Sequence, residues 1–335
     1  MTLYDDRRLW PGTVPPVAGS PRRRPGSIRR TTSVDIERPE GFAGPLVLRG
    51  RGRDLATGTD QDTVLATAAT EVVIDFVGDR TIRSVHATPD PGGLEAVVGE
   101  RAGSGFRRIL ADACPHLAGS GSLVHLLLDE VTPATLISGS SLAREGAIKV
   151  AADGDLSRLP FGICAGWQVG GAMEAAIVET GVPLLGWGPP APSLTTDDDP
   201  LAWHAMADLA AASMRRRRRI DLVPVESVLE IDVRYRDSYW ERDLTETVVH
   251  EYGLFVTVDR ASWRVTAAEA TPGPLPAPEC PTAAAGAAHL VDVDVRDLRE
   301  VVRDRFVGTS SCTHLNDVYR SLADVARLAD GFTQG

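Results

Sequence analysis

The chain of 335 residues reads as an α+β protein made of two degenerate copies of an antiparallel-sheet-plus-helices unit. Three observations predict this. Short apolar runs come in pairs around polar turns: 72–76 with 81–87 across Gly78-Asp79, and 253–258 with 263–268 across Asp259-Arg260. Helical patterns follow each pair, which is the order expected of an antiparallel meander with helices laid over one face. The halves also echo one another. Arg29-Arg30-Thr31-Thr32-Ser33-Val34-Asp35 matches Arg218-Arg219-Ile220-Asp221, Thr88-Pro89-Asp90-Pro91 matches Thr271-Pro272-Gly273-Pro274, and His125-Leu126 matches His314-Leu315, at displacements of 189, 183 and 189 residues.

Taken in order, residues 1–27 are rich in Pro, Gly and Arg without periodicity and read as a disordered tail. The first, degenerate copy spans 28–150, with a strand at 47–53. A connector spans 151–214. It holds the glycine-rich Leu159 to Gly171 stretch, which matches neither phosphate-loop nor dinucleotide fingerprints and reads as a structural turn. A Pro-rich linker follows at 186–200, and Asp199-Pro200 predicts the start of a helix running to about Met214. The second copy spans 215–331, with a strand at 228–235. Asp294 is placed to cap a helix over 295–306, whose Val295, Leu298, Val302 and Phe306 form one stripe. Gly308 then ends that helix, Thr309, Ser310 or Ser311 caps the next, and Leu315, Val318, Leu322 and Val325 recur at helical spacing.

Composition narrows the function classes. The chain is 43% apolar and 24% charged, ordinary for a globular protein with real cores, and its length suits two domains. No apolar run reaches the roughly 18 residues of a membrane helix and no hydrophobic leader opens the chain, so a cytoplasmic protein without membrane partners is expected. A net charge of −11 argues against nucleic acid. The basic runs Arg22-Arg23-Arg24 and Arg215 to Arg219 are therefore read as solvated edges preceding strands. Lys149 is the single lysine against 34 arginines, which points to coding bias. Cys114, Cys164, Cys280 and Cys312 lack any Cys-x-x-Cys pairing and are expected as free thiols or metal ligands. Cys114-Pro115-His116 also sets a thiol near an imidazole, but its counterpart in the second copy is arginine-rich, so it is given a structural role.

The strongest lead is Cys312-Thr313-His314, where a loop becomes a helix. Only in an irregular turn or a first helical turn can positions i and i+2 converge on one ion. Together with the basic start at Arg218-Arg219-Ile220-Asp221, His250-Glu251-Tyr252 opening a hairpin, and Cys280-Pro281 after it, the closing Cys312 to Leu315 motif resembles an uncharacterised bacterial family, domain of unknown function 2889. The resemblance covers the last third of the chain. It implies a site at Cys312, His314, Cys280 and His250 but names no reaction. Family members usually carry Gly where this chain has Ser311, a difference of turn geometry. The order of ligands around a hairpin also resembles iron–sulfur scaffold proteins of the IscU/NifU type. There a cysteine usually stands at the place of His250, and the final pair runs in the opposite order.

Two thiols and two imidazoles suit zinc, with an iron–sulfur cluster as the alternative cofactor. Three function classes follow: a metal-binding module, a metal-dependent hydrolase of a small ester, thioester or amide with Glu251 or Asp317 as general base, and a metal-free thiol enzyme using Cys312 with His314 or His250. Adjacent residues on a regular strand face opposite ways, so His250 is expected inward and Glu251 away from the metal.

Overall fold

The computed structural model describes residues 14–147, 156–184 and 188–333. The fold is α+β. Eight strands form one antiparallel sheet: β1 (Ser27–Glu37), β2 (Leu46–Thr57), β3 (Thr63–Asp75), β4 (Thr81–Thr88), β5 (Met214–Val225), β6 (Val228–Trp240), β7 (Glu246–Asp259) and β8 (Val265–Pro272). Their order is β4-β3-β2-β1-β5-β6-β7-β8, so two four-stranded meanders share a single sheet, joined where β1 pairs with β5 from Ile28↔Leu222 to Ile36↔Met214. The expected hairpins are present with longer strands than the alternation implied.

The join has a physical consequence that overturns the reading of the longer basic run, whereas Arg22 to Arg24 do precede β1, with Arg22 and Arg24 exposed. Arg29-Arg30 and Arg215 to Arg219 do not precede the strands. They lie within the two central strands and all seven are buried. Alternation along a strand sends Arg30, Arg216 and Arg218 to one face and Arg29, Arg215, Arg217 and Arg219 to the other. Each must then find an acidic partner, because an unpaired charge removed from water costs several kcal/mol. On the first face the ion pairs join into one network of six arginines and six carboxylates. It links Arg30, Arg107, Arg216, Arg218, Arg299 and Arg320 with Asp54, Asp129, Glu130, Asp237, Asp317 and Asp324.

This face carries the helices. α1 (Phe106–Ala113), α2 (Leu123–Asp129) and α3 (Val131–Arg144) follow the first meander, and α4 (Ala172–Thr180) lies in the connector. α5 (Leu298–Arg305), α6 (Thr313–Ser321) and α7 (Val325–Leu328) follow the second, after 3₁₀ turns at Cys280–Leu290. α2 packs so closely on β2 that a Cβ added to Gly52 would meet Leu123 Cδ2 at 2.9 Å. Asp294 caps as expected, accepting from the Arg296 amide, although the first turn is 3₁₀ and α5 begins at Leu298. For α6 the capping position is Cys312 itself rather than Thr309, Ser310 or Ser311. Two apolar clusters result. One gathers Ile220, Ile231, Tyr252 and Leu254 under the C-terminal helices, and the other gathers Val34, Leu48, Val72 and Leu127 with Met214 and Val249. The polar network fills the seam between them.

The opposite face is covered by extended chain. Residues 14–27, expected within a disordered tail, instead run along the sheet, with β1 starting at Ser27. The Gly19 amide donates to Ser193 O, the Val17 amide donates to Glu251 Oε1, and Arg23 pairs with Asp62 and Asp199. Residues 1–13 lie outside the described residues, as do 186 and 187 of the linker. The helix expected from Pro200 to Met214 is absent, and the segment is irregular until β5 begins. Its carbonyls are engaged by arginines, two of them buried: Arg29 donates to Ala202 O and Arg215 to Ala207 O, and the half-buried Arg53 donates to Leu201 O. A helix would spend those acceptors internally, so tertiary demand overrides the helical propensity of this alanine-rich stretch.

His204 from this segment sits between Thr31 and Ser33, its Nδ1 2.9 Å from Thr31 Oγ1 and its Nε2 2.8 Å from Ser33 Oγ. Burial, with the nearby charges of Arg53, Arg215 and Arg51, pushes its pKa down to about 3. An unfolded histidine titrates near about 6.5, so as pH falls the unfolded chain takes up this proton first. The stability tied to neutral His204 is complete above about pH 6.5 and declines toward pH 3. Urea midpoints measured at pH 7.5 and pH 5 should therefore fall less steeply in His204→Gln than in the parent chain.

Candidate functional site

The polar seam ends in a cluster of side chains on the helix face of the second meander. Asp237 on β6 and His250 on β7 are direct cross-strand partners, and the register shifts immediately beyond them, between Asp237 and Ser238. That bulge leaves Val249 as the extra residue, so Val249 packs with one apolar cluster while His250 turns toward the seam. His314, in the first turn of α6, comes down from above. Its ring stacks on His250 with centroids 3.8 Å apart and planes 22° apart. His250 Nδ1 lies 3.6 Å from Asp237 Oδ2, and His314 Nε2 lies 3.7 Å from the same oxygen. Among the described residues these three are the one group of histidine, cysteine and carboxylate side chains whose ligand atoms all lie within 4.8 Å of one another.

Asp237 is held rigidly. Tyr235 donates its hydroxyl to Oδ2 at 2.6 Å, and Arg216 donates to Oδ1 at 2.9 Å and to Oδ2 at 3.1 Å. Burial raises the aspartate pKa, but Arg216 and the two histidines outweigh it and hold the group at about 2. Burial drives His314 down to about 4, opposed by Asp237. Burial and then His314 push His250 well below its ordinary value. At neutral pH the cluster therefore presents one carboxylate and two uncharged imidazoles. His250 Nδ1 is buried without a hydrogen-bond partner, which a satisfied core histidine would not leave. The His314 side chain keeps 18% of its surface exposed, so the cluster reaches solvent from the helix side.

The residues singled out from the sequence are distributed unevenly around this point. His250 and His314 meet. Cys312 stands behind His314, its Sγ 3.9 Å from Nδ1 on the side of the ring away from Asp237. Burial raises the Cys312 thiol to about 11 against hydrogen bonds from the Tyr252 hydroxyl and the Leu315 amide. Cys280 is buried in the adjoining apolar cluster, where burial and then the Cys312 sulfur push its thiol up, and it lies outside the Asp237 group. Cys164 belongs to the same neighbourhood through the glycine-rich connector. The Ala165 amide donates to Ser311 O, and a Cβ on Gly166 would come within 2.6 Å of Cys280 Sγ. Cys114 is remote, donating to Gly92 O.

The two proposed bases separate. Asp317 lies one turn beyond His314 on α6, shares Arg216 with Asp237 and pairs with Arg107. Glu251 is on the opposite face of the sheet, fully buried, 2.5 Å from Arg236 and accepting the Val17 amide. His250 faces the seam and Glu251 faces away, as strand alternation requires. The placement of Glu251 removes it from reach of the cluster.

Sequence reading missed Asp237, Tyr235 and Arg216. A signal existed: Val233, Tyr235, Asp237 and Tyr239 continue one alternating face, so a carboxylate stands where an apolar residue is expected. The sequence reading ends the strand at Tyr235, five residues before its end at Trp240.

A family model matches residues 214–328. Its description is Protein of unknown function (DUF2889). The match runs from β5 to α7, about a third of the chain, and includes Asp237, His250, Cys280, Cys312 and His314. No curated protein matches the chain. No solved structure matches it either, so the resemblance to iron–sulfur scaffold proteins gains no support from structural neighbours. Among the described residues no helix is long and apolar enough to cross a membrane.

The burial of Glu251 carries a definite expectation. Breaking a buried ion pair by neutralising one partner leaves the other charge uncompensated. Glu251→Gln should lower unfolding free energy by about 3 kcal/mol, read as a shifted urea midpoint. An unchanged midpoint would mean that this carboxylate is solvated.

Proposed function

We propose that this chain binds one divalent first-row metal ion between Asp237, His250 and His314. The observation that carries the reading is the convergence of two imidazole nitrogens on one carboxylate oxygen at 3.6 and 3.7 Å. Those gaps are too long for hydrogen bonds. They are close to the roughly 3.4 Å separating ligands around a tetrahedral ion with bonds near 2.1 Å. The protonation states suit ligation, because metals take neutral histidine and ionised carboxylate. Tyr235 and Arg216 supply the outer hydrogen bonds that orient a ligating aspartate. Zinc fits this donor set, as does ferrous iron, for which two histidines and one carboxylate are a familiar arrangement. An iron–sulfur cluster fits it less well, because such clusters are held mainly by thiolates.

Three protein ligands leave a coordination position for water or a substrate oxygen. Hydrolysis of a small ester, thioester or amide is therefore the enzymatic form of the proposal, with Asp317, which shares Arg216 with Asp237, as the general base. A metal-free thiol enzyme is the second reading, favoured by the order Cys312 Sγ, His314 and Asp237 along one line. The buried Cys312 thiol, raised to about 11, weakens it, because nucleophilic cysteines are depressed and accessible.

Elemental analysis of protein purified without chelator should find about one zinc or iron per chain. Asp237→Ala, His250→Ala and His314→Ala should each remove it. Metal-free wild-type protein, together with rapid alkylation of Cys312 at neutral pH, would overturn the metal reading and install the thiol one.

A further inference from the structure

A second concave site lies on the first half of the sheet, at the register position that the Asp237 cluster holds on the second. Arg30 faces Asp54 across β1 and β2 as Arg216 faces Asp237 across β5 and β6. The residue opposite Asp54 on β3 is Ala66, where His250 stands opposite Asp237. α2 and α6 start from the caps Ser122 and Cys312, and counted from those caps the place of His314 is held by Val124. The smaller side chains at both places leave a hollow of about 370 Å³ over Arg30 and Asp54. That is within the range of small-molecule pockets, roughly 300 to 1,000 Å³.

The walls are mainly apolar: Leu65 and Ala68 from β3, Leu123 and Val124 from α2, and Leu328 from α7. Gly121, at φ 66°, closes one side by bringing the turn before α2 onto α7, where an added Cβ would meet Arg327 Cβ at 2.5 Å. The floor is an ion pair. Arg30 donates to both Asp54 oxygens at 2.7 Å, to Gly121 O at 2.8 Å and to Asp324 Oδ2 at 3.4 Å, which commits its guanidinium to the protein. Asp54 is less committed. Among the described residues each of its oxygens accepts one hydrogen bond, from Arg30, and a carboxylate oxygen can accept another. Its side chain keeps 6% of its surface, room for one donor atom and not for a hydrated ion. Ser122, also in the lining, accepts from the His125 amide at 3.2 Å and from the Ser120 hydroxyl at 3.0 Å, which leaves its own proton to donate.

The fixed charges of the hollow are paired, Arg30 with Asp54 on the floor and Arg327 with Asp330 at the rim, 3.8 Å apart. A charged guest would leave water without a counter-charge, which is unfavourable. A neutral N–H donor instead meets the carboxylate in a charge-assisted bond. A polar edge between apolar faces is the shape of a planar heterocycle. The second half builds that arrangement from its own side chains, with two imidazole rings directing nitrogens at Asp237 from 3.6 and 3.7 Å.

We propose that this hollow binds a small uncharged aromatic heterocycle. One ring N–H donates to Asp54, a ring nitrogen accepts from the Ser122 hydroxyl, and the ring faces lie against the apolar walls. The site is separate from the Asp237 cluster and does not depend on the metal reading.

The experiment is a nuclear magnetic resonance titration of the full chain, in chelator, with benzimidazole and 1-methylbenzimidazole at about pH 8, where both are uncharged. Benzimidazole should bind in the millimolar range or tighter, moving the methyl signals of Val124 and Leu328 while the His314 ring signals stay in place. 1-Methylbenzimidazole, which has no N–H, should bind about 10-fold more weakly or worse. Ala66→Phe, at an exposed position whose side chain enters the hollow, should abolish binding. The comparison of the two compounds needs no variant, so it decides even if Ala66→Phe does not fold. Equal affinity for the two compounds would overturn the hydrogen bond to Asp54 and the ligand class with it. Benzimidazole that moves the His314 ring and not Val124, or that still binds Ala66→Phe, would place the ligand elsewhere and overturn the site. No binding at millimolar benzimidazole would overturn the proposal outright.

Discussion

The protein is organised around arginines that its central strands force out of water. Once β1 and β5 pair, seven guanidinium groups are enclosed within the sheet, and neither face can be closed with apolar side chains alone. Six carboxylates gather on the helix face from α2, α6, the turn after α6, the α2–α3 junction, β2 and β6. On the other face, extended chain supplies carbonyl oxygens and Asp199. Both coverings are chosen by what they can accept from arginine. That constraint explains why the alanine-rich segment before β5 is not a helix, and why residues 14–27 are ordered along the sheet.

Much of the architecture was legible in the sequence, and the misreadings share one cause. Period-two runs located the hairpins, Asp294 marked a helix start, and the Cys-x-His motif marked the beginning of α6. The Arg215 to Arg219 run was misread because a basic tract is ordinarily solvated, as Arg22 and Arg24 are. Nothing local in Arg215 to Arg219 announces that Asp35, Glu130, Asp232 and Asp237 will meet it from elsewhere. Asp237 was missed for the same reason. Its importance lies in lying opposite His250 and under His314, and both relations depend on pairing between distant parts of the chain. His250 and His314 could be nominated from residue type and position. The carboxylate that brings them together could not.

The first meander repeats part of this arrangement with different occupants. Arg30 faces Asp54 across β1 and β2 as Arg216 faces Asp237 across β5 and β6. In each meander the register shifts just past the aspartate, and the residue opposite it is Ala66 in one and His250 in the other. With Ala66 and Leu123 in place of larger or ligating groups, the first half holds a cavity of about 370 Å³ over Arg30 and Asp54. Similar strand pairings thus frame a hollow on one side and a crowded imidazole pair on the other.

The bulge at Val249 gives the cluster a mechanical character. Two successive side chains of β7 face the helices there. Val249 belongs to the apolar cluster of the first half, and His250 meets a helix of the second. The separation between the two imidazoles and Asp237 is consequently set within the second half, by how closely α6 is held over β6 and β7. The bulge acts as a strain gauge between two cores. Any force that lifts α6 from the sheet is felt first as a longer distance from His250 to His314, while Val249 keeps the strand beneath them anchored in the other core.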